Sequence, residues 1–302
     1  MDFKSFLYDQ LFLTLPYPTA DHSGQTIIVT GANVGLGLEA ARHFTRLNAD
    51  KVVLGVRNLE NGEAAKKSIE EATKRTGVVE VWQLDLTSYE STKSFVKRAD
   101  SLKRLDTVVE NAGIATREYR VAEDNEATIT TNVVSTYLLG LMILPKLRET
   151  GTKFNITPHL VIVSSEVHVR TSLPERSRPN IFKTLNDKET ANMADRYAEV
   201  LSDFLKLAHI RRYNVSKLLE VLYTRELAAR TKESGKPEVI INYLNPGLCH
   251  SSLAREIEGW GFYFLKALLA RSTEHGSRTL VHAAEAGPET HGQYLSNCCI
   301  SE

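Results

Sequence analysis

The chain has 302 residues, 42% of them hydrophobic and 25% charged, enough to bury one large α/β core. Its 37 basic and 37 acidic residues leave a formal net charge of zero, so no global field draws it to nucleic acid or to an anionic membrane. Three cysteines, Cys249, Cys298 and Cys299, form no C-x-x-C pair and no ligand spacing, which argues against a disulfide framework or a bound metal and suits a reducing, cytoplasmic setting.

The first apolar stretch, Phe3 to Leu15, is broken by Lys4, Asp9 and Gln10, is too short to span a bilayer and has no cleavage site after it. It reads as a leader helix over residues 1–23 packed on a single domain of residues 24–302, with aromatic and leucine side chains that suit peripheral membrane contact. Pro16, Pro18 and a polar run then deliver the chain into a strand at Thr26 to Thr30. Gly31, Gly35 and Gly37 follow, and then the helical segment LEAARHFTRL. Strand, glycine turn and helix make a dinucleotide-binding unit, in which the turn approaches a pyrophosphate and the helix N-terminus holds its charge. Gly35, Gly37 and Ala40 also spell G-x-G-x-x-A.

The apolar run Lys51 to Val56 predicts a parallel strand covered on both faces. It ends at Arg57, 20 positions beyond Gly37, where a carboxylate would accept a ribose 2′-hydroxyl and an arginine would accept a 2′-phosphate. Arg57 therefore predicts NADP(H) over NAD(H). A helix at Asn58 to Thr76, a strand at Val78 to Gln83, a helix at Ser88 to Leu102 and a strand at Thr107 to Glu110 continue the alternation. That order predicts right-handed crossovers in a mostly parallel sheet, a doubly wound α/β Rossmann fold with ligands at the carboxyl ends of the strands. Asp85 and Asn111-Ala112-Gly113 fall at such ends, bordering adenine and ribose. Apolar residues recur at helical spacing from Glu123 to Glu149, with Asn132 in the middle, and a strand at His159 to Val163 ends in Ser164-Ser165. Tyr213 and Lys217, four apart, share one face of a helix predicted over Tyr213 to Thr231. A last core strand is expected at Glu238 to Leu244, followed by Pro246-Gly247 and an apolar, aromatic run from Leu248 to Leu269 that suits a hydrophobic substrate.

The ordered set Thr30-Gly31-x-x-x-Gly35-x-Gly37, Asp85-Leu86-Thr87, Asn111-Ala112-Gly113, Asn132, Ser165, Tyr213-x-x-x-Lys217 and Pro246-Gly247 resembles the short-chain dehydrogenase/reductase family over about residues 24 to 297. The wording VTGANVGLGLEAARHF, RYNVSKLLEV and GPETHGQYLS looks like its retinol-dehydrogenase-like branch, most closely the fungal members. The resemblance implies an enzyme that interconverts a carbonyl and an alcohol with NADP(H) on a small hydrophobic molecule, such as a polyketide-like secondary metabolite, or on retinoid or lipid aldehydes. Homo-oligomers are common among such proteins. The implied catalytic residues are Asn132, Ser165, Tyr213 and Lys217, with Tyr213 as general acid, its pKa lowered by Lys217 and the oxidised nicotinamide together, and Ser165 on the substrate oxygen. Lys217 would also hold the nicotinamide ribose, and Asn132 a water linking Lys217 to solvent. Cofactor contacts are implied at Gly31, Asn33, Gly35, Leu36 and Gly37, then at Arg57, Asp85 and Leu86. Further contacts follow at Asn111, Ala112 and Gly113, and at Pro246 and Ser251 near the carboxamide. His168 lacks an acidic partner at known distance and is set aside as a base.

Three features depart from the family text. Glu110 stands where relatives carry asparagine, read as a tolerated change. Ser165 and Tyr213 are 48 residues apart, and removal of Ala198 to Tyr213 would leave the uninterrupted wording ADRYNVSK, so an insertion is expected at 198–213. The chain stops at Glu302 soon after a strand expected at Gln293 to Leu295, as if shortened. A nucleotide-binding protein without catalytic activity is the rival reading.

Overall fold

The computed structural model describes residues 3–116, 118–188, 211–250, 253 and 266–301. Strands β1 (Thr26–Thr30), β2 (Lys51–Val56), β3 (Val79–Gln83) and β4 (Thr107–Glu110) fall within a residue of the apolar runs that predict them. A two-residue hairpin, β5 (Val121–Ala122) and β6 (Asn125–Glu126), precedes β7 (His159–Val163), β8 (Ile240–Asn245), β9 (Tyr294–Ser296) and β10 (Cys299–Ser301). The main sheet has the order β10-β9-β8-β7-β4-β1-β2-β3, parallel throughout except for β10, which pairs antiparallel with β9. The order turns around between β1 and β4, and ligands bind outside the carboxyl ends of strands at such a switch point.

Helices cover both faces, as near-continuous apolar strands require. On one face lie α2 (Gly35–Arg46), α3 (Leu59–Thr73) and a helix near the chain's end, Thr273–Glu285, packing Phe44, Ile69 and Leu280 against Ile27, Val29 and Leu54. On the other lie α4 (Tyr89–Asp100), α5 (Ala127–Phe154), and beyond the short α6 (Ile181–Leu185), α7 (Arg211–Glu233). Phe95, Leu139, Ile143, Leu147 and Val221 meet Ile28, Val108 and Leu160 there. The Thr273–Glu285 helix is α8. Alternate β1 residues thus feed two cores, the two-sided version of strand periodicity.

Several expected boundaries move for local reasons. Asn58 and Ser88 are caps rather than helical residues, accepting from the amides of Asn61 and Ser91. The helix expected from Glu123 starts at Ala127, because Glu123 takes a left-handed turn (φ 51°) within the hairpin and the buried Glu126 carboxylate caps the amides of Thr128 and Ile129. α5 is long and apolar enough to cross a membrane by length and composition, yet it is a core helix here, with Leu139, Ile143 and Leu147 wholly buried. The leader helix α1 (Phe3–Phe12) ends three residues before the apolar stretch does and well short of residue 23, and the last strand lies one residue later than expected and has an antiparallel partner, β10. Residues 198–210 of the expected insertion lie outside the described residues; α7 begins directly after them, at Arg211.

Candidate active site

Thr30 organises the start of the site. Its hydroxyl accepts from the amides of Asn111 (3.0 Å) and Ala112 (2.9 Å), and its carbonyl accepts from Asn111 Nδ2 (2.9 Å). The Asn111 side chain therefore ties the ends of β1 and β4 together. Gly31 and Gly35 have φ of 65° and 66°, left-handed values that L side chains rarely adopt. A Cβ on Gly31 would lie 2.9 Å from Ala112 Cα. Val34 supplies no side-chain cap to α2, so the first amides of that helix are left for an anion. Leu36 packs its side chain against the apolar cluster, and Leu86 is buried. Asn33 lies within the loop, half-buried.

Arg57 is exposed at the end of β2, immediately beyond the pairing of Val56 with Gln83. Asp85 spends Oδ1 on its own turn, accepting from the Thr87 amide (2.9 Å) and hydroxyl (2.7 Å). Pro246 is buried, and its carbonyl faces Arg271 Nη1 (3.5 Å). Gln10 of α1 donates to the carbonyls of Leu248 (2.8 Å) and Leu269 (3.1 Å), on either side of the aromatic run. Ser251 and most of that run, including Trp260 and Phe262 to Phe264, lie outside the described residues.

Asn132 is wholly buried, not exposed as a mid-helix asparagine usually is, because residues Thr130–Ser135 form a π-helical turn within α5. Its Oδ1 accepts from the Ile114 amide (2.9 Å), while Nδ2 donates to the Ile114 carbonyl (2.9 Å) and to Ser216 Oγ (2.9 Å). Both donors are committed, so its side chain fixes the Asn111 to Ile114 loop against α7. A Cβ on Gly113 would come within 3.2 Å of Asn132 Oδ1 and 3.9 Å of Lys217 Nζ, which explains the glycine.

The Ser165 hydroxyl lies close enough to the Tyr213 hydroxyl to act on it. Ser165 also caps the 3₁₀ turn Glu166–Arg170, accepting from the Val167 amide. Ser164 is buried and turned away, donating to the Lys217 carbonyl at 3.3 Å. Lys217 Nζ stands 5.5 Å from the centre of the Tyr213 ring and donates to the Val163 carbonyl (2.9 Å) and to Glu220 Oε1 (2.8 Å). The four residues expected from the sequence are thus assembled from α5, the β7 end and α7, despite the long separation of Ser165 from Tyr213.

The electrostatics differ from the expectation for Tyr213. Part of the residue stays accessible, yet burial pushes its hydroxyl pKa up; Lys217 and the Ser165 hydroxyl pull it down, Glu220 pushes it up, and the balance lies above the ordinary tyrosine value. For Lys217, burial works against the ammonium, but Glu220 and Tyr213 outweigh it and raise its pKa. Sequence reading missed Glu220, whose signal is a carboxylate three residues after a lysine on one helix face. It also set aside His168, whose Nδ1 donates to the Ser165 carbonyl (2.6 Å) while the ring packs edge-on to Tyr294. His168 positions Ser165. Among the described residues no group of three or more histidine, cysteine or carboxylate side chains could hold a metal.

A family model for short chain dehydrogenases matches residues 25–169. The chain is 49% identical over 299 residues to the short chain dehydrogenase/reductase dmxR8 of Cryptosporiopsis sp. (strain 8999), covering 98% of this chain and 88% of that protein. It is 46% identical to the short chain dehydrogenase atnD of Emericella nidulans, covering 97% and 90%. Solved structures of similar fold include a short chain dehydrogenase from Shigella flexneri (TM-score 0.63, 22% identity, 95% and 98% covered). Another is a short-chain dehydrogenase from Sphingobium yanoikuyae in complex with NADPH (TM-score 0.60, 18% identity, 85% and 82% covered).

Proposed function

The chain belongs to the short-chain dehydrogenase family, and on that premise we propose that it is an NADP(H)-dependent oxidoreductase interconverting a carbonyl and an alcohol on a small hydrophobic molecule. The observation that carries the reading is the convergence of Ser165, Tyr213 and Lys217, with Asn132 bracing the loop beside them. The cofactor's fit rests on the tight glycine loop, in which Gly31 and Gly37 pack against Ala112 and Asn111 with no room for a Cβ, and on the uncapped α2 N-terminus. Gly31 to Gly37 would hold the pyrophosphate, Arg57 the 2′-phosphate, Asp85 and Leu86 the adenine side, and Ala112 and Gly113 the ribose side. When bound, the nicotinamide supplies or accepts the hydride.

The protein's own contribution is to orient the substrate oxygen and exchange a proton with it. Ser165 holds that oxygen, and Tyr213 donates its hydroxyl proton to it in carbonyl reduction. A phenol held protonated by its surroundings suits that direction. An ammonium has three N–H donors; with two on Val163 and Glu220, the third Lys217 donor serves the nicotinamide ribose. A polyketide-like secondary-metabolite carbonyl is the substrate class we favour, from the fungal relatives and the apolar run after Leu248.

The test is nicotinamide fluorescence with NADPH and NADH, on wild type and Tyr213→Phe, then turnover against an aldehyde and ketone panel. NADPH binding by both proteins with turnover only in wild type is expected. Binding without wild-type turnover on a broad panel would favour a nucleotide-binding protein without catalytic activity.

A further inference from the structure

Glu110 ends β4, a strand buried at every position. Both its carboxyl oxygens are enclosed without a hydrogen-bond partner, and Oε1 stands 3.1 Å from where a Cβ on Gly140 of α5 would lie. Glu220 reaches the same region from α7. Its Oε1 holds Lys217, and its Oε2 is enclosed without a partner. The two carboxyls are near enough to act on each other's charge.

The surrounding polar groups come from four elements. Tyr137 of α5 donates its hydroxyl to the Glu220 carbonyl (2.6 Å) and lies 2.6 Å from Thr224 Oγ1. It feels both carboxyls and Tyr243 of β8. Lys217 and Tyr213 stand on α7, and the Ser164 hydroxyl approaches Glu220 from the end of β7. Lys217 is the cation that acts on Glu220, and no described cation acts on Glu110.

Two carboxyls sharing a buried site do not both ionise, and the one without a cation keeps its proton. We propose that Glu220 is a positioning residue that keeps the Lys217 ammonium charged and aimed at Tyr213, and that Glu110 stands beside it as a neutral acid. This rests on the assignment of Tyr213 and Lys217 above. It explains why a carboxyl is tolerated at the end of a buried strand: it adds no second negative charge to the pocket.

The test compares wild type with Glu220→Gln, Glu220→Asp and Glu110→Gln by the pH profile of alcohol oxidation with NADP⁺. That rate needs Tyr213 ionised and Lys217 charged, and Glu220 raises the pKa of both. Removing its charge should move both limbs to lower pH, by about 1 to 3 units for a partner in direct contact. Glu220→Asp should fall between, and Glu110→Gln should keep the wild-type limbs, since glutamine imitates a neutral acid. A Glu220→Gln profile of reduced height with unmoved limbs would mean a structural role only and overturn the proposal. If Glu220→Gln fails to fold, Glu220→Asp decides, together with infrared spectra at neutral pH. The infrared difference between wild type and Glu110→Gln should lose one protonated-carboxyl band, and its absence would equally overturn the proposal. That readout needs no turnover, whereas retained turnover in Tyr213→Phe would remove the catalytic reading instead.

Discussion

A Cβ on Gly37 would lie 2.5 Å from Asn111 Nδ2 and 2.8 Å from the Gly31 carbonyl oxygen. Asn111 is pinned by Thr30 and the carbonyl is backbone, so neither can give way cheaply. Gly37→Ala should therefore cost about 1–3 kcal/mol of stability by overpacking and weaken NADPH binding. Chemical denaturation and a fluorescence titration would check both, and an unchanged midpoint would contradict the crowding.

Asn132→Ala removes three hydrogen bonds in a fully buried position and leaves the amide and carbonyl of Ile114 unpaired. A loss of about 1–3 kcal/mol is expected per buried group stranded this way. Because the freed loop carries Gly113, where an added Cβ would lie only 3.9 Å from Lys217 Nζ, kcat should fall as well. Thermal melts beside steady-state kinetics would show whether the two losses travel together.

Glu110 gives a stability signature in pH. Burial raises its folded pKa well above the ordinary 4.5, with Glu220 adding to the shift, so the folded state holds a proton that the unfolded state releases. Its stabilising contribution is complete below the unfolded value and is lost as pH climbs toward the folded one, by about 1.4 kcal/mol per pH unit in that window. Wild type should lose stability from about pH 5 upward relative to Glu110→Gln. Parallel melting curves for the two proteins between pH 5 and 8 would refute it.

Arg57 sits exposed at the end of β2, so its attraction for a 2′-phosphate is screened by salt. Arg57→Ala should weaken NADPH by about tenfold, about 1.4 kcal/mol, and leave NADH affinity little changed. The Kd for each nucleotide, at low and at high salt, is the measurement. An equal loss for both nucleotides would remove Arg57 from 2′-phosphate recognition.

Much of the fold was legible because it rests on local pattern. Unbroken apolar runs gave the buried parallel strands, and the glycines before LEAARHFTRL gave the first turn. Tyr213 and Lys217 were legible as helix neighbours, although their meeting with Ser165 needed the tertiary fold. What stayed hidden depends on long-range partners. The bonds that bury Asn132 were hidden because nothing local announces a π turn or the distant Ser216. Glu110 looked like a harmless substitution because its neighbour Glu220 lies far along the chain. The sign of the Tyr213 shift followed the visible lysine and missed the enclosure around the ring.

The anchoring of α1 has a consequence for the order of folding. Gln10 bonds residues 238 and 259 positions away, Arg271 Nη2 donates to the Asp9 carbonyl (2.8 Å), and the Leu15 amide donates to His275 Nε2 (2.9 Å). Every one of those partners lies at least 238 positions further on. α1 must therefore wait, undocked, while the sheet assembles behind it, and closes onto the domain as one of the final steps.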